Sequence, residues 1–354
     1  MKKLVGMIMA VLVCWNIFLT IEINSLRSGG VGNKETTVVT NNVVNSFSTD
    51  LTKITPEIEK SVVSIRTEAS YSSGIIVKVK EDEAFIATNY HSIENAAYVE
   101  VIFNNLDKIK AEVAGYNLEM DVAILKIKPE YEVTAIKLGD SSLLKQGEFV
   151  LAIGSPVSSE YHGSLSFGIV SSPNRIVETR LDKMKYFINT IQSDITLNRG
   201  NSGSALVNMA GELVGLNTMT LEVQDAEGMS FSLPVNELKL IMDEIIENGS
   251  VSKLNLGLRL TAVSSMPNYL KSNLGIALDQ IDGLYVNEVK SDFFGYYLGV
   301  RSGDIIIEIN GSPISSIDDY IKEEYCAEDH ISVVIIRAGE IATYEREIVI
   351  SFRG

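Results

Sequence analysis

Residues 198–204 of this 354-residue chain are Asn-Arg-Gly-Asn-Ser-Gly-Ser, so Ser202 stands between two glycines. Glycine lacks a Cβ atom, which lets the backbone turn sharply at Gly200 and Gly203 and lets N–H groups point into a cleft. A hydroxyl on such a turn can act as a nucleophile when a base is within reach. Ser202 is therefore the candidate nucleophile. We expect the N–H groups of Gly200 and Ser202, with Asn201 between them, to form an oxyanion site.

Short β-branched and apolar runs, separated by turn residues, precede this serine turn. The runs are Val62–Arg66, Gly74–Val79, Ala84–Thr88, Tyr98–Phe103, Val122–Ile127 and Phe149–Ile153. Strands of this length and spacing are typical of a β-barrel or a β-sandwich, whereas βαβ units would require helical segments between the strands. The sequence therefore predicts a mainly β fold for this part of the chain.

Two further residues with the chemistry of acyl transfer lie at the edges of these predicted strands. His91 follows the run that ends at Thr88, and Asp121 directly precedes the run that starts at Val122. A histidine oriented by a carboxylate is the usual base for a serine nucleophile. The order His91, Asp121, Ser202 is that of chymotrypsin-type enzymes. An esterase of the α/β-hydrolase class would have its serine first, so this alternative is disfavoured.

The pattern changes after Pro234, where apolar residues recur at helical spacing over residues 238–246 and stop at Asn248-Gly249, a typical helix end. The first domain is therefore predicted to span residues 53–249. Further strands and a capped helix predict a second domain over residues 253–354. The predicted elements are strands at 283–289, 304–309, 331–336 and 344–351, a turn at Asn310-Gly311, and a helix that starts at Ser316.

The N-terminal segment carries Lys2 and Lys3, followed by an apolar run from Leu4 to Ile21. This run is long enough to cross a thin bilayer. A cleaved signal peptide is the alternative, but no A-x-A-like site follows the run. We predict an uncleaved anchor over residues 1–27 and a flexible linker over residues 28–52. The lysines place the N-terminus in the cytoplasm, with a single membrane span and the folded part extracytoplasmic.

Composition excludes several other classes of function. The net charge is -16 and no basic run is present, so a nucleic-acid partner is not expected. The two cysteines and three histidines are scattered without metal-ligand spacing, and no nucleotide-binding loop is present. No metal and no cofactor are therefore predicted. His162 and His330 are expected to face solvent.

Several motifs resemble those of the HtrA, or Deg, family of serine proteases. Thr88-Asn89-Tyr90-His91 resembles TNxH, residues 121–126 resemble D-[IL]-A-x-[IL]-K, and residues 198–203 resemble N-x-GNSG. In the C-terminal part, residues 299–313 resemble the PDZ stretch G-[LV]-x-x-GD-x-I…NG of this family. Ser204 departs from the pattern, because the family has a second glycine there.

The resemblance implies a chymotrypsin-like double β-barrel followed by a PDZ domain. It implies an ATP-independent serine endopeptidase of unfolded or misassembled exported proteins, with Ser202 as nucleophile, His91 as base and Asp121 as its orienting carboxylate. It also implies a homo-oligomer, a trimer, and binding of peptide C-termini by the PDZ domain. The expected peptide-carboxylate loop is Asn255-Leu256-Gly257-Leu258.

Family spacing places Thr196, Leu197 and Asn198 at the first substrate pocket, with Thr196 at its floor. The pocket then lacks an acidic counter-ion for Lys or Arg, which predicts cleavage after small or medium aliphatic residues. Asp194 is interpreted as a structural pairing residue. The alternative from another class of function is a chaperone or peptide-binding protein that retains the protease fold without its activity.

Overall fold

The computed structural model describes residues 15, 17, 19, 20, 51–155, 158–181, 184–218, 228–251, 253–273, 281–327 and 329–348. The chain divides into two units, Met1–Thr52 and Lys53–Gly354, and the predicted boundary near Gly249 lies inside the second. Most of the predicted anchor and linker lies outside the described residues. Within the part that is described, no helix combines the length and the apolar character needed to cross a membrane.

Seven antiparallel strands form the first sheet, in the order β5-β4-β1-β2-β3-β7-β6. Their buried side chains, among them Val63, Ile86 and Leu125, form one core. The outer strands β5 and β6 are not paired with each other in this sheet, and β5 carries two lysines. Helix α1 covers residues 51–59. The strands are β1 Val62–Arg66, β2 Tyr71–Lys80, β3 Glu83–Thr88, β4 Glu100–Ile102, β5 Lys108–Lys110, β6 Glu112–Asn117 and β7 Val122–Ile127.

A closed six-stranded barrel follows, in the order β10-β13-β12-β11-β8-β9. Its interior is aliphatic, with Val150, Ile191 and Leu206 all buried. The long paired strands β9 and β10 are not among the runs predicted from the sequence. The elements are β8 Phe149–Gly154, β9 Ser164–Leu181, β10 Met184–Ser193, β11 Ala205–Asn208, β12 Leu213–Thr218, β13 Ser230–Pro234 and helix α2 Val235–Asn248. Gly249 ends α2 in a left-handed conformation, as its sequence predicted.

The C-terminal sheet has the order β14-β15-β16-β18-β19, with β17 paired to β16. Ser316 caps helix α5 through the predicted capping box with Asp319. The predicted strand at 344–351 begins earlier, at Glu340. The elements are β14 Leu258–Ala262, α3 Asn268–Asn273, β15 Leu284–Val289, α4 Phe294–Leu298, β16 Ile305–Ile309, β17 Ser312–Pro313, α5 Ile317–Cys326, β18 His330–Arg337 and β19 Glu340–Glu347.

A buried ionic cluster joins the C-terminal sheet to the first part of the fold. Lys253 Nζ lies 2.9 Å from Glu237 Oε1 on α2 and 3.5 Å from Glu324 Oε2 on α5. Asn255 donates its side-chain amide to Glu119 Oε2 at 2.8 Å. Two carboxylates therefore contact one ammonium group, and a third, Glu119, is bound by the neighbouring Asn255. Burial raises the pKa of Glu119 and of Glu324, although the nearby Lys253 opposes the shift in both.

Replacing Glu119 with glutamine should stabilise the protein more at pH 8 than at pH 5. Burial raises the pKa of this carboxyl in the folded protein. The protonated carboxyl therefore contributes its full stability below the unfolded pKa, and this contribution is lost as pH rises through the folded pKa. Glutamine does not titrate and can still accept the amide of Asn255. Thermal midpoints at both pH values test this, with exposed Glu247→Gln as control. If the difference in thermal midpoint between Glu119→Gln and the wild type does not grow with pH, the prediction is contradicted.

The prediction that His162 faces solvent is wrong. Its side chain is only 9% exposed, and Glu59 Oε1 of α1 lies 4.0 Å from Nε2. Neither ring nitrogen has a hydrogen-bond partner among the described residues. Helix α1 packs on this turn, since a Cβ at Gly163 would meet Glu59 Oε1 at 2.9 Å. Burial lowers the pKa of His162. His330 is exposed, as predicted.

Candidate active site

Ser202, His91 and Asp121 meet between the first sheet and the barrel. His91 Nε2 lies 3.2 Å from Ser202 Oγ, and His91 Nδ1 lies 2.6 Å from Asp121 Oδ2. The side chain of Asp121 is 15% exposed and that of His91 is 38% exposed. The three groups thus form a continuous hydrogen-bonded line from hydroxyl through imidazole to carboxylate, the order required to remove a proton from Ser202.

The carboxylate of Asp121 is held at both of its oxygens. Oδ1 accepts the backbone N–H of His91 at 2.9 Å, and Oδ2 accepts the hydroxyl of Thr218 at 3.1 Å as well as contacting the imidazole. Asp121 itself has a left-handed backbone with φ 53°. Its carbonyl accepts the N–H of Tyr90 and the side-chain amide of Asn89. The histidine turn and the Asp121 turn therefore fix each other.

Ser73 on β2 supports the turn that carries the nucleophile. Its N–H donates to the carbonyl of Ser202 at 3.0 Å, and its hydroxyl donates to the carbonyl of Gly200 at 2.8 Å. Gly203 adopts φ 80°, and a Cβ at this position would lie 2.2 Å from the carbonyl oxygen of Ser73. Only glycine allows β2 to approach the turn this closely.

Ser204, which replaces the second glycine of the motif, is accommodated in a buried hydrogen-bond network. Its hydroxyl accepts the side-chain amide of Asn217 at 2.9 Å, and Asn217 Oδ1 in turn accepts the hydroxyl of Ser232 at 2.6 Å. Gly154 makes room for the additional carbon, because a Cβ there would lie 2.6 Å from Ser204 Cβ. The departure from the motif therefore leaves the turn intact.

Two of the three expected oxyanion residues retain an available donor. The N–H of Asn201 donates to the carbonyl of Asn198 at 2.9 Å, so Asn201 cannot contribute that group to an oxyanion in this conformation. The N–H groups of Gly200 and Ser202 have no acceptor among the described residues. Gly200 adopts φ 91°. The candidate oxyanion site is thus reduced to Gly200 and Ser202.

Substituting Gly203 with alanine should destabilise the protein and abolish hydrolysis by separating β2 from the nucleophile turn. A left-handed alanine costs roughly 1–2 kcal/mol, and the clash with the Ser73 carbonyl adds to that cost. Gly147→Ala is a matched control, because Gly147 has φ 90° and nothing within 4 Å of its Cβ position. Urea unfolding and casein hydrolysis measure both effects. Equal losses in the two variants would contradict the close-approach argument.

The predicted pocket residues directly precede the nucleophile turn. Thr196 and Asn198 are exposed, and Leu197 is partly buried against the barrel core. Asp194 Oδ1 accepts the N–H of Ile169 on β9 at 2.7 Å, which agrees with its predicted pairing role. A Cβ at Gly168 would lie 2.3 Å from this oxygen, so glycine is required for the contact.

The predicted peptide-carboxylate loop, Asn255-Leu256-Gly257-Leu258, is buried throughout. The N–H of Leu256 donates to Glu324 Oε1 at 3.0 Å, and that of Gly257 donates to Asn255 Oδ1 at 2.8 Å. The prediction that this loop offers free N–H groups to a peptide carboxylate is therefore wrong for Leu256 and Gly257 in this conformation. The acceptors are the side chain of Asn255, within the loop, and that of Glu324 on α5. Sequence spacing does not connect Glu324 to the loop.

Sequence reasoning missed Ser73 and Thr218, whose hydroxyls reach the site from β2 and β12. Serine and threonine are common in strands, and no local pattern distinguishes these two. Asn89 could have been identified, because it belongs to the TNxH motif. In the described part of the chain, no group of three or more His, Cys, Asp or Glu residues could hold a metal ion.

Comparison with protein families gives a match of residues 72–216 to the trypsin-like peptidase domain. The serine protease Do-like HtrB of Bacillus subtilis is 31% identical over 77% of this chain and 60% of its own length. The serine protease Do-like HtrA of Lactococcus lactis subsp. lactis is 30% identical over 78% of this chain and 69% of its own. The match thus spans less than two thirds of the Bacillus protein.

Solved structures show the same fold. A structure described as the HtrA-type protease AlgW with tripeptide has a TM-score of 0.58 and 27% identity, over 85% of this chain and 96% of that one. The serine endoprotease from Yersinia pestis has a TM-score of 0.53 and 26% identity, again over 85% and 96%. The mainly β, chymotrypsin-like protease fold is common to all of them.

Proposed function

Because this chain belongs to the HtrA family of trypsin-like serine proteases, we propose that it is a serine endopeptidase that cleaves unfolded or misassembled proteins. The observation that carries the proposal is the line of contacts from Ser202 Oγ to His91 Nε2 at 3.2 Å and from His91 Nδ1 to Asp121 Oδ2 at 2.6 Å. Such a line is what a serine nucleophile needs at neutral pH.

In the proposed mechanism, His91 Nε2 takes the proton of Ser202 Oγ as the oxygen attacks the peptide carbonyl. The negative charge on the former carbonyl oxygen is stabilised by the N–H groups of Gly200 and Ser202. His91 then returns the proton to the leaving amine, which leaves an ester on Ser202. A water molecule, deprotonated by His91, hydrolyses this ester and regenerates the hydroxyl.

Asp121 keeps the Nδ1 proton of His91 in place and stabilises the imidazolium form. Thr218 and the N–H of His91 hold the carboxylate in the required orientation. For the first substrate pocket we propose Thr196, Leu197 and Asn198, with a preference for small or medium aliphatic residues because no acidic group marks its floor. These pocket residues would select the peptide bond that the triad cleaves.

We further propose that the apolar N-terminal run anchors the protein in the cell membrane, with both folded domains outside, and that the assembly is a trimer. The charge pattern of residues 2–21 supports the anchor, and family resemblance supports the trimer. The C-terminal sheet is proposed as a PDZ domain. It can add a peptide along β14, which pairs only with β15 among the described strands.

The proposed activity is tested by incubating the full chain, purified in detergent micelles, with unfolded casein. We expect fragments to accumulate, and a fluorophosphonate probe to stop the reaction by modifying one residue. Mass spectrometry of the labelled peptide should identify that residue as Ser202. Intact casein together with an unlabelled protein, even after peptides with free C-termini are added, would favour the non-proteolytic peptide-binding alternative.

A further inference from the structure

One N–H group of the predicted peptide-carboxylate loop, that of Leu256, already binds a carboxylate that belongs to the protein itself. Glu324 Oε1 accepts the N–H of Leu256 at 3.0 Å and the hydroxyl of Tyr320 at 2.6 Å, and Lys253 Nζ lies 3.5 Å from Oε2. The residue is 5% exposed. Backbone N–H, hydroxyl and ammonium donors are the groups that capture a peptide C-terminus, so Glu324 occupies an anion site.

The remaining central N–H of the loop is occupied as well. Gly257 donates to Asn255 Oδ1 at 2.8 Å, while the amide of Asn255 is held by Glu119. Gly257 cannot move toward α4 easily, because a Cβ there would lie 2.3 Å from Phe293 Cβ and the backbone is already in close contact. The N–H groups of Leu256 and Gly257 are therefore both satisfied within the protein.

The charge around the loop also disfavours a second anion. Glu237 lies 2.9 Å from Lys253 and is 2% exposed, and its Oε2 has no hydrogen-bond partner among the described residues. Lys253 thus neutralises at most one of three carboxylates, the other two being the buried Glu324 and the half-buried Glu119. A peptide carboxylate would enter a buried region in which one ammonium group already faces two buried carboxyl groups, without the compensation that such burial requires.

We propose that Glu324 is a specificity determinant of the C-terminal domain, because its carboxylate fills the anion site of the loop and makes the domain indifferent to a free peptide C-terminus. Peptides then bind as extended segments along β14, through main-chain hydrogen bonds and apolar side chains. Leu258 of β14 and Ile321 of α5 line the cavity beside Glu324, and residues of β9 and β10, among them Ile188, form its other side. This inference rests on the proposed peptide-binding function of the domain.

The test compares a labelled hexapeptide ending in valine, with a free carboxylate, and the same peptide as its carboxamide. Fluorescence anisotropy measures both with full-length protein in micelles that carries Ser202→Ala, so that the peptides survive. With Glu324 intact we expect the two dissociation constants to agree within about twofold. Glu324→Ala frees the Leu256 N–H and removes one of the two carboxylates that contact Lys253, and should tighten binding of the carboxylate peptide by about tenfold or more, as for one charge-assisted contact. Carboxamide binding should not change.

Glu323→Ala, on the same turn of α5, is the matched control and should leave both affinities unchanged. Glu324→Gln removes the charge and keeps the volume, so a smaller gain is expected and an answer is available if the alanine variant fails to fold. A tenfold preference for the carboxylate with Glu324 intact would overturn the proposal. An unchanged carboxylate affinity in both Glu324 variants, including no binding at all, would also overturn it. Casein hydrolysis with Ser202 restored reports the proposed protease activity separately.

Discussion

Replacement of Ser202 with alanine is expected to reduce kcat for casein hydrolysis by roughly 10⁶-fold, the scale seen when a triad nucleophile is removed. The hydroxyl is the group that would form the acyl-enzyme, since Ser202 Oγ lies 3.2 Å from His91 Nε2, the atom that would take its proton. Residual turnover would come from the oxyanion donors acting on water. The rate of fragment appearance, corrected for active protein, measures the loss.

Ser204→Ala is the matched control, because this second serine belongs to the same turn and differs in its contacts. Its hydroxyl accepts from Asn217 in a buried network, so its loss should affect stability by about 1 kcal/mol and leave hydrolysis within about tenfold of wild type. If Ser204→Ala were inactive and Ser202→Ala retained activity, the assignment of the nucleophile would be wrong.

The sequence was sufficient to select the three residues that the structure brings together, because each lies in a short local motif. Thr88 to His91, Asp121 to Lys126 and Asn198 to Gly203 each combine a functional side chain with a strand end or a glycine turn. Local pattern also predicted most of the strands of the first sheet and the capped helix α5. These elements depend on periodicity and capping, which a sequence displays directly.

What the sequence could not indicate were contacts between residues far apart in the chain. Ser73 supports Gly200 across 127 residues, and Thr218 reaches Asp121 across 97. Neither hydroxyl has a pattern of its own. His162 was assigned to solvent because it lies in a predicted loop, but packing of α1 on its turn buries it. The peptide loop was misassigned because Glu324 lies 68 residues away from Leu256.

The second large effect concerns Asp121. Asp121→Asn should leave the fold intact and lower kcat by roughly 10³- to 10⁴-fold at neutral pH. Asp121 Oδ2 accepts from both His91 Nδ1 and Thr218, and Oδ1 accepts from the N–H of His91. An asparagine has one acceptor oxygen. If that oxygen serves the backbone N–H, the NH₂ group faces Nδ1.

The imidazole would then carry its proton on Nε2. That proton would point at Ser202, and Nε2 could not accept the proton of the hydroxyl. The expected signature is a large fall in kcat with little change in KM, because the peptide-binding surfaces are untouched. Thr218→Val is the companion variant. It removes one hydrogen bond to the carboxylate and keeps the charge, so a loss of about tenfold is expected. Equal losses in the two variants would indicate that the charge and tautomer control of Asp121 matter less than its packing.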